Sequence, residues 1–188
     1  MMKEHNIFGG GADTTRNGNM FENEASVEKM LIANGYTVFS GVVTKNGEHI
    51  GLISSKSAFY TDILHVGEND VRKKYGKTLE PDAVFLNKLN HTLYILEMKS
   101  QKTPGSVDEK IQTCEYKLRF YNSLRWDYGL EETINHIRFY YILSDYFHSP
   151  AYREALRFIQ DKGCDYYFNT VEPQDLGLQK PERAFRLN

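Results

Sequence analysis

The chain has 188 residues, 40 % hydrophobic and 26 % charged, the balance of one globular domain with a single buried core. Twenty-three Lys and Arg stand against 25 Asp and Glu, a net charge of −2, so the composition as a whole does not describe a protein that grips a polyanion unaided. No apolar run approaches the ~20 residues of a membrane helix, no apolar signal region follows Met1, and Cys114 and Cys164 fit neither a disulfide scaffold nor a zinc site. A soluble protein in a reducing cytoplasm, with no membrane partner, is the expectation.

Residues 1–19 are a Gly- and Asn-rich lead-in with little core-forming capacity, and residues 20–188 are expected to form one domain. From about Asn23 the apolar positions Ala25, Val27, Met30, Leu31 and Ala33 predict an amphipathic helix ended by Gly35. Glu24 stands in its first turn, where a carboxylate suits the helix dipole, and Glu22 just precedes it. Tyr36 to Val43 predicts a first strand, Asn46-Gly47 a turn, and His49 to Ile53 the returning strand. Residues 44–79 are compatible with an insertion anchored by Ala58-Phe59-Tyr60 and Ile63-Leu64. Arg72, Lys73, Lys74 and Lys77 form a basic run around Tyr75, either a solvated segment or a contact for a phosphate backbone.

The most informative stretch runs from Glu80 to Gln101. Two apolar runs, Ala83 to Leu86 and Leu93 to Leu96, flank the polar Asn87 to His91, which predicts a β-hairpin. Antiparallel pairing then brings Asp82 beside Glu97, and the strand period of two puts Lys99 on the same face as Glu97. Met98 points the other way, into the core. Beyond the Pro104-Gly105 turn, Ser106 to Glu109 is a capping box. Val107, Ile111, Cys114, Leu118 and Tyr121 mark one helical face, with Lys110, Lys117 and Arg119 read as lying off it. This helix region is locally basic, and Gln101, Lys102, Lys110 and Gln112 are further candidates for phosphate contact. Ile134 to Ser144 predicts a buried strand, Ser149-Pro150 opens a helix ending near Gly163, and Asp165 to Phe168 is a last short strand. His136 and His148 have no partner at metal-ligand spacing and are assigned hydrogen-bonding or surface roles. The elements predict an α/β fold, a mixed sheet flanked by helices.

Two carboxylates and an amine at one open end of a hairpin suit a hard divalent cation, which usually takes one or two protein carboxylates and completes its shell with water and phosphate oxygen. Such an ion polarises a phosphodiester and acidifies a bound water. The alternative is an ordinary hairpin end carrying a solvated Glu–Lys pair.

Pro81-Asp82 followed by Glu97-Met98-Lys99 resembles the signature of the PD-(D/E)xK, or restriction-endonuclease-like, nucleases. The resemblance covers roughly Glu22 to Phe168 and implies a restriction-endonuclease-like fold. It further implies a Mg²⁺-dependent DNA endonuclease, with Mn²⁺ as a possible substitute. Asp82, Glu97 and the Met98 carbonyl would then be metal ligands, with Glu24 leaning in from the first helix and Lys99 orienting the attacking water. Ile95 to Lys102 with Gly105 to Thr113 looks most like the cleavage domain of type IIS restriction enzymes, and the chain is similar to the small catalytic subunit of the heterodimeric ones. On that reading double-stranded DNA is the substrate and a larger, site-recognising, nicking subunit supplies affinity, which accounts for the −2 charge. A self-sufficient homodimeric restriction enzyme, a Holliday-junction resolvase or repair nuclease, and a non-catalytic assembly subunit are the alternatives.

Overall fold

The computed structural model describes residues 20–22, 26–102 and 107–179. The expectations for the lead-in, for Glu24 and for the Ser106 cap fall outside them. Among the described residues seven strands form one sheet in chain order: β1 (Thr37–Phe39), β2 (Val42–Lys45), β3 (Glu48–Ser54), β4 (Ala83–Asn87), β5 (Thr92–Lys99), β6 (His136–Leu143) and β7 (Asp165–Phe168). The first five pair antiparallel; β5, β6 and β7 run parallel. The helices are α1 (Val27–Ala33), α2 (Ala58–Asp62), α3 (Glu68–Tyr75), α4 (Val107–Lys110), α5 (Cys114–Asp127) and α6 (Arg153–Asp161). The architecture is a mixed sheet flanked by helices, as the sequence predicts.

The alternation along β5 sorts the core into two layers. Leu93 and Ile95 point to one face with Val84, Leu86, Phe139 and Tyr141, where α2, α3, α5 and α6 cover them. Tyr94, Leu96 and Met98 point to the other with Phe85 and Ile142, beneath α1 and the segment Val171 to Leu178. Asp82, Glu97 and Lys99 belong by parity to the first face, at the end of the strands away from the β4–β5 turn. Met98 lies in the opposite layer, as expected.

Three parts of the chain fold otherwise than the sequence suggests. The stretch Tyr36 to Val43 is not one strand: Ser40 and Gly41 both take positive φ, 47° and 77°, and reverse the chain into a β1–β2 hairpin. The turn is held tightly, because Ile53 N–H donates to Gly41 O at 2.7 Å and a Cβ on Gly41 would meet the Ile53 carbonyl oxygen at 2.7 Å. Residues 44–79 are not an appendage either. They include β3, which pairs with β4, and the helices α2 and α3, whose Phe59, Tyr60, Ile63, Leu64 and Val71 are buried in the main core. The Tyr60 hydroxyl donates to Leu79 O at 2.7 Å and accepts from Leu79 N–H at 3.0 Å, fastening α2 to the irregular segment that leads to Asp82.

The long helix begins as α4, tightens into a 3₁₀ turn at Ile111–Thr113, and continues as α5. Ile111, Cys114, Tyr121 and Leu124 are buried on its inner face. Near the C-terminus, Val171, Leu176 and Leu178, for which the sequence predicts no element, close the second face. Buried Asn87 ties that segment down by donating to Leu176 O at 2.9 Å and Gly177 O at 3.2 Å.

Candidate functional site

Ala83 pairs with Leu96 as the last pair of the β4–β5 ladder, so Asp82 emerges opposite Glu97. A main-chain bond fixes it there: Met98 N–H donates to Asp82 Oδ2 at 2.9 Å. Lys99 folds back across the opening, its Nζ donating to Asp82 Oδ2 at 3.1 Å, Glu97 Oε2 at 2.9 Å and the Met98 carbonyl at 2.9 Å. Three ammonium hydrogens thus meet three oxygens, and these belong to three of the four residues assigned to a metal from the sequence; the fourth, Glu24, lies outside the described residues. Glu97 is buried, with 6 % of its side chain exposed, and Asp82 and Lys99 are nearly so at 11 % and 17 %.

Two further lysines complete the site, and neither was expected there. Lys117 reaches in from α5, with Nζ 2.9 Å from Glu97 Oε2. It stands three residues after Cys114 and four before Tyr121, on the buried face of the helix rather than off it. That spacing was the available signal. Lys56 reaches Asp82 Oδ1 at 2.5 Å and Glu22 Oε2 at 3.4 Å. Its backbone N–H donates to Pro81 O at 2.8 Å, a contact across 25 residues that no local pattern announces. Glu22 therefore touches the site through Lys56; Glu24 lies outside the described residues.

The electrostatics follow from burial against charge. Burial pushes the Asp82 carboxyl up, but the ammoniums of Lys99 and Lys56 outweigh it and hold it below the usual value. Burial pushes Lys99 down, and the charges of Glu97 and Asp82 more than reverse that. Beneath them, burial and then the Glu97 charge raise the Tyr121 phenol, which stays neutral and donates to Leu79 O at 3.3 Å.

These shifts make stability depend on pH at both ends. Asp82 has a folded value below its unfolded one, so its contribution is present above about pH 4 and lost as pH falls through the depressed value. Lys99 is raised, so its contribution is whole below about pH 10 and lost as pH rises through the folded value. In metal-free protein Asp82→Asn is expected to flatten the acid limb, measured as urea midpoints between about pH 5 and pH 2. A limb as steep as that of the unaltered chain would show that other carboxylates control acid unfolding.

The donor set fits a hard cation. Two carboxylates and a carbonyl converge on one point, already held by a cationic group, and all three are oxygen ligands of the kind Mg²⁺ and Mn²⁺ accept. Among the described residues no group of three or more His, Cys, Asp and Glu is placed to hold a metal, so the third protein donor is the Met98 carbonyl. A cleft of about 400 Å³, lined by Glu22, Ser26, Ser54, Asp62 and Met98, opens onto Asp82. A larger cavity of about 630 Å³ lies around Tyr36, Lys45 and Leu178, away from the carboxylates.

The basic run sits on α3 and just beyond, and acidic neighbours answer most of it. Arg72 pairs with Glu68 at 2.5 Å, Lys73 with Asp70 at 3.6 Å and Lys74 with Asp127 at 3.0 Å, while Lys77 lies over the Tyr116 ring. Gln101 and Lys102 line a separate cleft of about 510 Å³ with Ser144, Tyr146 and Asn169, just past the carboxyl ends of β5, β6 and β7. Lys110 and Gln112 are exposed at the start of the α4–α5 segment. His148 stacks on Phe168 at 3.6 Å between ring centroids, a packing role. No family model, curated protein or solved structure matches the chain.

Proposed function

We propose that this chain is a divalent-cation-dependent DNA endonuclease of the PD-(D/E)xK kind. The observation that carries the reading is the convergence of Asp82 Oδ2, Glu97 Oε2 and the Met98 carbonyl on one ammonium at the open end of a hairpin. These oxygens would hold Mg²⁺, or Mn²⁺ in its place, which when bound supplies Lewis acidity toward a phosphodiester and acidifies a coordinated water.

The chain's own residues do the rest. Asp82 remains ionised at neutral pH because two ammoniums face it. Lys99, raised in pKa, stays protonated and so acts as a donor, orienting water and offsetting the charge that grows on the phosphate oxygens. The products would carry 5′-phosphate and 3′-hydroxyl ends. The −2 net charge and the paired state of Arg72, Lys73 and Lys74 favour a cleavage subunit whose DNA affinity resides largely in a larger site-recognising partner.

The direct test does not depend on that partner. Calorimetric titration with Mn²⁺ should show binding by the unaltered chain and little by Asp82→Asn. Equal binding by both, or none by the unaltered chain, rejects the reading. Tight, sequence-specific DNA binding by the chain alone at physiological salt would reject the partner but keep the nuclease.

A further inference from the structure

The two carboxylates are met by three ammoniums, although Lys99 alone reaches both carboxylates and the intervening carbonyl. Lys117 is the harder to explain. Its side chain is 19 % exposed, it shares the inner face of α5 with buried Tyr121 and Leu124, and it meets Glu97 at the same Oε2 that Lys99 uses. Dehydrating such a pair costs about as much as its attraction returns, so stability gives little reason for a lysine where an apolar side chain would pack.

The chemistry of the opening supplies a reason. A cation seated among Asp82 Oδ2, Glu97 Oε2 and the Met98 carbonyl takes the place of the Lys99 ammonium, which reaches all three, and lies against Lys117 on Glu97 Oε2 and Lys56 on Asp82 Oδ1; like charges repel there, so these ammoniums give way as well. Counting Glu22, the carboxylates and ammoniums balance in the present state. A divalent ion leaves two positive charges in excess, which an anion must answer. A phosphodiester is such an anion, and flexible lysine stems can swing a donor onto its oxygens.

We propose that Lys117 and Lys56 are the phosphate ligands of this site, held on Glu97 and Asp82 until a divalent cation displaces them, so that cation and nucleic-acid phosphate bind with positive coupling. The proposal rests on the reading of Asp82, Glu97 and the Met98 carbonyl as the cation site. Coupling of this kind is reciprocal: each ligand tightens the other by the same factor.

One variant tests it through two opposite signs. In Lys117→Met the competing ammonium is gone, so Mn²⁺ should bind several-fold tighter in calorimetry. Binding of a fluorescent double-stranded oligonucleotide in Ca²⁺, also an oxygen-seeking ion, should meanwhile weaken about tenfold, the worth of one charge-assisted contact. Lys117→Arg should restore oligonucleotide binding. Lys56→Met should shift both affinities in the same directions by less, because Lys56 is 46 % exposed and its pairing is screened. Should Lys117→Met not fold, Lys117→Gln serves for the same pair of measurements. A variant that weakens both ligands is merely damaged in structure and overturns the proposal, as does one that leaves oligonucleotide binding in Ca²⁺ unchanged. Absence of Mn²⁺ binding by the unaltered chain is distinguishable from these, since it removes the nuclease reading and this inference with it.

Discussion

Asp82→Asn is expected to lower phosphodiester cleavage by about 10³-fold or more, with the fold retained, because a side chain of the same size loses the charge that the cation and two lysines require. The amide offers one acceptor oxygen where the carboxylate gives two, and its NH₂ group faces ammonium donors. Nicking of supercoiled plasmid in Mg²⁺, with the proposed site-recognising subunit present, is the measurement, with circular dichroism as the check on folding. Lys99→Ala should fall by a similar factor for another reason: the oxygens remain free to bind metal, but the donor beside the water is absent. A variant with undiminished cleavage at either position would dismiss the assigned roles.

The second large effect is on stability. Lys99→Met leaves Asp82 and Glu97 facing one another with the charge between them removed, inside a site where Glu97 is 6 % exposed. Breaking a buried ion pair usually costs about 3–5 kcal/mol; here Lys56 and Lys117 still answer one carboxylate each, so a loss of about 2–3 kcal/mol is expected. For a chain of this size that lowers Tm by roughly 5–10 °C. Millimolar Mn²⁺ should recover much of the loss, and should raise the Tm of the variant more than that of the unaltered chain. Equal shifts in the two proteins would mean that Lys99 does not occupy the cation's place.

The hairpin was legible because its information is local. Two apolar runs, a polar turn and a period of two place Asp82, Glu97 and Lys99 without reference to the rest of the chain. What escaped was either too short or too distant. Helix α2 has five residues, too few to display a 3.6-residue period, so Phe59 and Tyr60 read as anchors without an element around them. Ser40-Gly41 carried a turn signal, but the apolar residues on both sides read as one continuous strand. Lys117 was misplaced for a different reason. Its polarity suggested the outer surface, although its spacing from Cys114 and Tyr121 puts it inside, and a charged residue on an inner face is the kind of local conflict that a site creates. Lys56 depends on a bond to Pro81, and only the closed fold brings those two together.

Strand β5 is flanked on one side by the antiparallel ladder of β4 and on the other by the parallel ladder of β6, which pairs Glu97 with Tyr141 and Lys99 with Leu143. The pairing with β4 ends at Leu96, so the main chain of Glu97 to Lys99, which would bear the proposed ligands, is held by β6 on one flank and by the Met98 N–H bond to Asp82 on the other before any ion arrives. The disorder that a loose loop would surrender on gathering its oxygens was given up when the polypeptide collapsed. On the proposed reading an incoming ion has only to displace ammoniums, and selectivity then turns on that exchange rather than on a rearrangement of the backbone.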